Sequence, residues 1–389
     1  MLLAAASMSK ARSRYQGLTG VPAWAQDVAV NQIKNISGTA LQGSAGLASP
    51  ALSTGYPSPG GDSGVAGRVN AYGHGVVRNA EWWNLAAGGH KDYGGNEASK
   101  IDFDANVPAW SLVRTYSATI SDDVDRNPDG RPASCHGYYC WQYISQEDKF
   151  HRFGSQGRFS NGGGSGITHD IFDPQAGDYV TSGHPADLGG DAANYGTRGL
   201  YPAIAKDTSG NVYIITVSGG LVTKWTRATD AFADLATNNG TQRTSGPIVD
   251  DPVRGHLFHL YVTGGVLTCA KYSKTTGQRT AITFNASAAA TALAAIAGLN
   301  NGGIEYCTPR DSYLIYDGTT GNEGDVYEII PNSGTTYDVD TLATTGDTPD
   351  TVNSAGLYSR WREVTLACGF KGMLMQPSFS GRFAFLRTA

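Results

Sequence analysis

From residue 78 to the C-terminus the chain repeats one pattern: a polar turn, a short apolar or aromatic run, then a glycine or other turn residue. Arg78-Asn79-Ala80-Glu81 leads into WWNLAAGG, ending at Gly88 and Gly89. SQEDKFHRFG ends at Gly154, DTSGNVYIITVSGG at Gly219 and Gly220, and DPVRGHLFHLYVTGG at Gly264 and Gly265. TPRDSYLIYDG ends at Gly318, and CGFKGMLMQP ends at Pro377 with no glycine doublet. The runs start at Trp82, Phe150, Val212, Leu257, Tyr313 and Met373, about 45 to 68 residues apart. A unit this small cannot bury both faces of its strands alone, so like units must pack on one another.

Each run is preceded by another apolar segment (AYGHGVV, HGYYCWQYI, YPAIAKD, SGPIVDD, GGIEYC). Two further strands follow it in ASKIDFDANVPAW, ITHDIFDPQAGDY, LVTKWTRATDAF, LTCAKYSKTTGQ and DVYEIIPNSGTTY. Asp-Pro, Thr-Gly and Ser-Gly dipeptides supply the hairpin turns. The expectation is an all-β chain of four-stranded antiparallel meanders, with six copies arranged radially as a six-bladed β-propeller.

Gly88-Gly89, Ile101-Asp102-Phe103 and Trp110 resemble a kelch-type, galactose-oxidase-like blade, and the resemblance runs from near Val69 to the end. The second and fifth copies keep one glycine, and later copies replace Trp with Phe or Tyr or lose the aromatic. The last copy offers three strands, WREVTLACGF, KGMLMQPSF and GRFAFLRTA. An open final sheet would leave an unpaired edge. PAWAQDVAVNQIKNISGT, with Val30 to Ile36 at its centre, is therefore expected to pair beside the C-terminal strand and close the ring. This divides the chain into an N-terminal arm, residues 1–68, and a propeller, residues 69–389. The arm holds the ring-closing strand (about 24–37) and a Gly/Ser/Pro-rich linker spanning 38–67, read as a free connection or as an extended arm on a neighbouring subunit. Asn285–Gly298, NASAAATALAAIAG, reads as a helix capped by Asn285 or Ser287 and ended by Gly298.

Composition agrees with short strands and many turns: 51 glycines and 20 tyrosines among 389 residues, with only 16% charged, against about 25% in ordinary domains. The net charge of -5 and the lack of a basic cluster argue against nucleic acid. No apolar run reaches the length of a membrane helix, so no membrane insertion is expected. MLLAAASM lacks the basic region of a secretory signal, and Met8 is an alternative start. Five cysteines (Cys135, Cys140, Cys269, Cys307, Cys368) suit buried thiols better than a disulfide framework. Cys135, His136 and Cys140 do not complete a four-ligand zinc set, and no metal or cofactor is expected.

GGHKDYGGNE concentrates His90, Lys91, Asp92, Tyr93, Asn96 and Glu97 on one hairpin, suited to tying neighbouring loops together or to contacting a sugar or cation. His74, His136, Tyr138 and Tyr139 are expected on innermost strands beside an axial channel, either packed or available for proton transfer. Asp122-Asp123 and Asp250-Asp251 read as solvated loop carboxylates. The sequence holds no G-x-S-x-G elbow, H-E-x-x-H pair, phosphate-binding loop or complete sialidase-type box.

SRYQGLTGVPAWAQDVAVNQ resembles the N-terminus of kelch-like proteins encoded by tailed phages and prophages. That resemblance implies a non-enzymatic structural or adhesive virion component: capsid decoration, tail, or receptor-binding fibre. Its partners would be other virion proteins, contacted through the arm and blade-edge loops, and a host glycan. A carbohydrate-binding or carbohydrate-active propeller and a bacterial protein-docking scaffold are the alternatives, because a fold of this kind does not fix function.

Overall fold

Trp82 and Trp83 are neighbours in one strand, so their rings leave on opposite faces. Trp82 meets Phe383 at 5.0 Å between ring centroids, and Trp83 meets Phe150 at 5.2 Å. Both indoles are essentially fully buried. A sheet covered on both faces lets its strands run continuously apolar, and this is why the repeated runs lack polar alternation.

A computed structural model of the chain describes residues 20–44, 63–155, 157–159, 166–194, 203–215, 221–235, 247–263, 266–296, 302–332 and 334–389. The first strand, β1 (Gln32–Asn35), comes from the N-terminal segment. Then come β2 (Val76–Arg78), β3 (Glu81–Leu85), β4 (Ala98–Asp102) and β5 (Trp110–Arg114). The next meander is β6 (Trp141–Ile144), β7 (Lys149–Ser155), β8 (Gly166–Asp173) and β9 (Asp178–Tyr179). It is followed by β10 (Ala203–Lys206), β11 (Val212–Ile215), β12 (Val222–Thr226) and β13 (Ala231–Leu235). β14 (Ile248–Asp251), β15 (His256–Thr263), β16 (Val266–Ser273) and β17 (Arg279–Phe284) precede β18 (Gly303–Cys307), β19 (Ser312–Tyr316), β20 (Val326–Ile330) and β21 (Thr336–Thr341). The short β22 (Thr345–Gly346) leads to β23 (Trp361–Thr365), β24 (Lys371–Met375) and β25 (Ala384–Arg387).

The result is an all-β, propeller-like fold built from four-stranded antiparallel meanders. β2–β5, β6–β9 and β10–β13 are separate sheets. The expectation of six separate sheets is met only in part. The meanders β14–β17 and β18–β21 share one eight-stranded sheet, because their outer strands pair in parallel through Thr283 with Thr336 and Phe284 with Tyr337. In the last sheet β23, β24 and β25 are joined by β1, with Ile33 opposite Leu386, Lys34 opposite Phe385 and Asn35 opposite Ala384. β22 then adds to the outer side of β1 in parallel.

Apolar clusters fill the wedges between neighbouring sheets. Trp83, Trp141, Phe150 and Trp225 link the first three meanders, Tyr213 and Leu257 the third and fourth, and Phe258 and Tyr313 the fourth and fifth. Leu314, Trp361 and Ile33 join the fifth to the last sheet, which packs on the first through Phe385 and Trp82. The first strands lie side by side in the same order: β2 by β6, β10 by β14, β14 by β18, β18 by β23, and β23 by β2.

Three sequence expectations are corrected here. The helix spans only Ala288–Ala295; the Ser287 hydroxyl caps it by accepting from Ala290 N at 3.0 Å, and Gly298 lies outside the described residues. The 38–67 linker is not uniformly loose: Gly64–Ala66 is helical and runs into α1 (Gly67–Asn70), in which Arg68 is fully buried, with its guanidinium on Asn84 and Ser99. Residues 45–62 of that linker lie outside the described set. Gly154 does not end a strand but sits within β7, at φ 78°, where the register shifts between Phe153 and Ser155. A bulge there needs left-handed backbone, which glycine adopts without strain.

Candidate functional site: a polar axial cavity

Most of the Gly88–Glu97 hairpin is packed: Tyr93, Asn96 and Glu97 are buried, His90 and Asp92 half-buried, and Lys91 at its tip exposed. Gly88 and Gly89 have φ values of 140° and 77°, and a side chain at Gly89 would run into the backbone of Gly157 and Cys135. Gly89 N donates to Tyr93 O, Gly88 N to Cys135 O and His90 N to Gly157 O, which stitches the hairpin to the loops around the second meander. Tyr93 Oη donates to Glu97 Oε1 at 2.6 Å, and Arg68 lies 3.4 Å from the same oxygen. Burial, reinforced by the Glu97 carboxylate, pushes the Tyr93 phenol far above its ordinary range. Asn96, fully buried, donates to Pro132 O and Ser117 Oγ and accepts from Ser117 N. His90 stacks on His136 at 5.6 Å. Gly318 follows β19 in a buried turn, while Gly219, Gly220, Gly264 and Gly265 lie outside the described residues.

His74, His136, Tyr138 and Tyr139 do not lie on the innermost strands. β2 begins at Val76 and β6 at Trp141, and left-handed backbone at Tyr72 (φ 53°) and Tyr138 (φ 37°) breaks the preceding segments out of extended conformation. All four are buried. His74 Nε2 accepts from Leu85 N at 3.3 Å, and burial lowers its pKa to about 3, so the imidazole is neutral. His136 packs on Tyr72 and bonds Asp92 at 3.3 Å; burial lowers its pKa against the pull of that carboxylate. Tyr138 and Tyr139 pack on Tyr358. Asp251 is likewise no solvated carboxylate: it is fully buried, accepts from Tyr313 Oη at 2.5 Å, and caps the turn through Val253 N and Arg254 N. Four of the five thiols are buried, although Cys135 and Cys140 lie outside strands.

The opening between the first strands is lined by other residues. A cavity of about 280 Å³ is bordered by Gln142 of β6, Lys206 of β10, Asp250 of β14, Glu305 of β18, and Arg362 and Glu363 of β23. An adjoining space of about 220 Å³ reaches Val77 of β2 and Tyr143 of β6 and shares five of those six residues. First strands are sheet edges, so polar side chains and free backbone groups converge there.

Most of these groups have partners. Arg362 donates to Glu305 Oε2 at 2.8 Å, and Glu363 accepts from Thr308 N and Oγ1 at 2.7 Å each. Gln142 Nε2 donates to Tyr139 O. Asp250 Oδ1 accepts from Lys274 at 2.7 Å, but Oδ2 is buried with no hydrogen-bond partner among the described residues, and the side chain is only 9% exposed. The Lys206 ammonium makes no hydrogen bond or ion pair among the described residues. Burial pushes the Asp250 carboxyl up, helped by the Asp207 and Asp251 charges, and pushes the Lys206 ammonium down. Sequence reasoning missed this set. Its signal is charge on the first strands, one charged residue each in AIAK and GIEYC and two each in IVDD and WREVT.

Among the described residues no three His, Cys, Asp or Glu side chains are grouped to hold a metal, and no helix is long and apolar enough to cross a membrane. The fold and cavity define an all-β, propeller-like protein with a polar opening on its axis. No protein-family model and no curated protein sequence matches the chain. Among solved structures it is similar to virginiamycin B lyase from Staphylococcus aureus (11% identity, TM-score 0.40, covering 80% of this chain and 92% of that one). It is also similar to TolB from Acinetobacter baumannii (12%, TM-score 0.38, 80% of this chain and 62% of that one). YCF48 from Cyanidioschyzon merolae is a third such structure (12%, TM-score 0.40, 80% and 81%).

Proposed function

We propose that the chain is a non-enzymatic structural or adhesive component of a large assembly, with a tailed-phage virion favoured by the resemblance of its N-terminal segment. In this reading β14–β17 and β18–β21 count as two blades, so that six kelch-type blades form a disc closed by β1. The observation that supports it best is the commitment to packing of His74, His136 and the hairpin groups Tyr93, Asn96 and Glu97. His74 is a neutral buried acceptor, His136 is held against Asp92, and Tyr93, Asn96 and Glu97 bond one another and neighbouring loops. The arm and the blade-edge loops are then the contact surfaces for other virion proteins, and a host glycan is the adhesive target. Mass spectrometry of purified particles from a phage or induced prophage that encodes the chain tests this. The polypeptide is expected in the particles at a fixed copy ratio to the major capsid protein, and its absence from them would sink the virion reading.

A carbohydrate-binding role is the second reading, supported by the polar axial cavity, since sugar hydroxyls both donate and accept. Exposed aromatic rings that stack on sugars would strengthen it, but Tyr306 is only 6% exposed and Tyr143 packs on Phe150.

A further inference from the structure

We infer that the axial cavity is a binding site for a small zwitterion of the free amino-acid class, its carboxylate on Lys206 and its ammonium on Asp250. This goes beyond the assembly reading and does not depend on it. Two side chains of opposite charge line the cavity with unused capacity: Lys206, whose ammonium has no partner among the described residues, and Asp250, held by Lys274 at Oδ1 and with its buried Oδ2 unpaired among the described residues. The other charged lining groups are engaged. Arg362 is on Glu305 and Glu363 is on Thr308. Asp207 accepts from Ser209 N and Asn211 N at 2.9 Å and from Tyr213 Oη at 3.1 Å.

The charge pattern selects among ligands. Two basic side chains, Lys206 and Arg362, face four acidic ones, Asp207, Asp250, Glu305 and Glu363. A simple anion such as phosphate meets net repulsion. A simple cation satisfies Asp250 but leaves Lys206 unmatched. A molecule bearing both signs a few bonds apart satisfies both with charge-assisted hydrogen bonds, which are stronger than neutral ones. A neutral sugar forms only singly charge-assisted bonds and finds neither lining tyrosine ring free for stacking. The cavity of about 280 Å³ holds the volume of roughly nine waters, enough for an amino acid with a short side chain. Burial raises the pKa of Asp250 and lowers that of Lys206, a desolvation cost that a bound counter-charge offsets.

The test is calorimetric titration of the full-length protein with glycine, L-alanine, L-serine and L-glutamine, alongside N-acetylglycine, glycinamide and D-galactose. At least one free amino acid is expected to bind one-to-one with a Kd of about 1 mM or tighter. The N-acetyl and amide forms, each lacking one charge, are expected to bind at least about tenfold more weakly, as are K206M and D250N with the free amino acid. D250N is nearly isosteric, so it and the derivative series on the unaltered protein remain decisive even where K206M fails to fold. No binding by any free amino acid, derivatives or variants that bind equally well, or binding of galactose alone would overturn the assignment.

Discussion

Ile33 lies opposite Leu386 in an antiparallel ladder, so the first described strand of the chain and the last one share a sheet. Both side chains are buried, in a cluster with Leu314 and Trp361. Asn31 N and Ile36 N extend the ladder by donating to Arg387 O and Phe383 O, and Arg387 reaches back to Val28 O at 2.8 Å. β1 covers the side of β25 that faces away from β24, so loss of β1 exposes the edge of β25.

Ile33→Ala removes buried methyl groups from this junction and is expected to cost about 2 to 4 kcal/mol in urea denaturation. A truncation beginning at Gly38 is expected to associate, seen as early elution in size-exclusion chromatography, because the edge of β25 then lies open to another chain. A monomeric truncation of unchanged stability would contradict the packing of β1.

Asn96→Ala tests whether the Gly88–Glu97 hairpin is built for packing. It strands Pro132 O and Ser117 N in a fully buried setting. The expected loss is about 2 to 3 kcal/mol. A surface binding loop would tolerate the change within about 0.5 kcal/mol, so denaturant midpoints separate the two.

His74 makes stability depend on pH. Its folded pKa, about 3, lies below the unfolded value of 6.5, so between these values the unfolded chain binds more protons. The contribution is fully present above pH 6.5 and is lost as the pH falls toward 3. From pH 7.5 to pH 5 the loss from this one group is about 2 kcal/mol. His74→Gln, though less stable at neutral pH, is expected to lose about 2 kcal/mol less than the parent over that interval. Parallel curves for the two proteins would show that His74 is not buried neutral.

Arg360 is fully buried and has no carboxylate partner among the described residues. Its guanidinium donates to the carbonyl oxygens of Gly356, Gln376 and Pro377 and to Asn353 Oδ1, and burial lowers its pKa to about 9. Arg360→Met removes the donor to Gly356 O, Gln376 O and Asn353 Oδ1, while Pro377 O keeps the Asn353 N–H, and is expected to cost about 3 kcal/mol or more. Arg360→Lys recovers only part of this, because an ammonium cannot span the same fork of acceptors. Thermal melts of the two variants against the parent check the order.

The second strand of every repeat was legible because unbroken apolar runs flanked by turn residues mark strands covered on both faces. Trp82, Phe150, Val212, Leu257, Tyr313 and Met373 all lie in such strands. The pairing of the Val30–Ile36 region with the C-terminal strand followed from a missing fourth strand. The site was misplaced because AYGHGVV and HGYYCWQYI look apolar throughout, while only their last residues are extended. The left-handed backbone at Tyr72 and Tyr138 leaves no compositional mark, since neither is glycine, asparagine or aspartate. The merging of two meanders through Thr283, Phe284, Thr336 and Tyr337 was equally hidden, because parallel pairing between outer strands is a tertiary event.

A covalent link across the closing pair tests the account most directly. Asn35 and Ala384 face each other and are both buried, and facing residues of an antiparallel pair lie about 4.5 to 5.5 Å apart at Cα, within disulfide range. N35C/A384C, oxidised in the folded state, is expected to give a reducible cross-link between the chain's two ends, with faster migration on a non-reducing gel and a raised melting temperature. Two thiols that stay free under oxidant in the folded protein would contradict the closure of the fold by its own N-terminal strand.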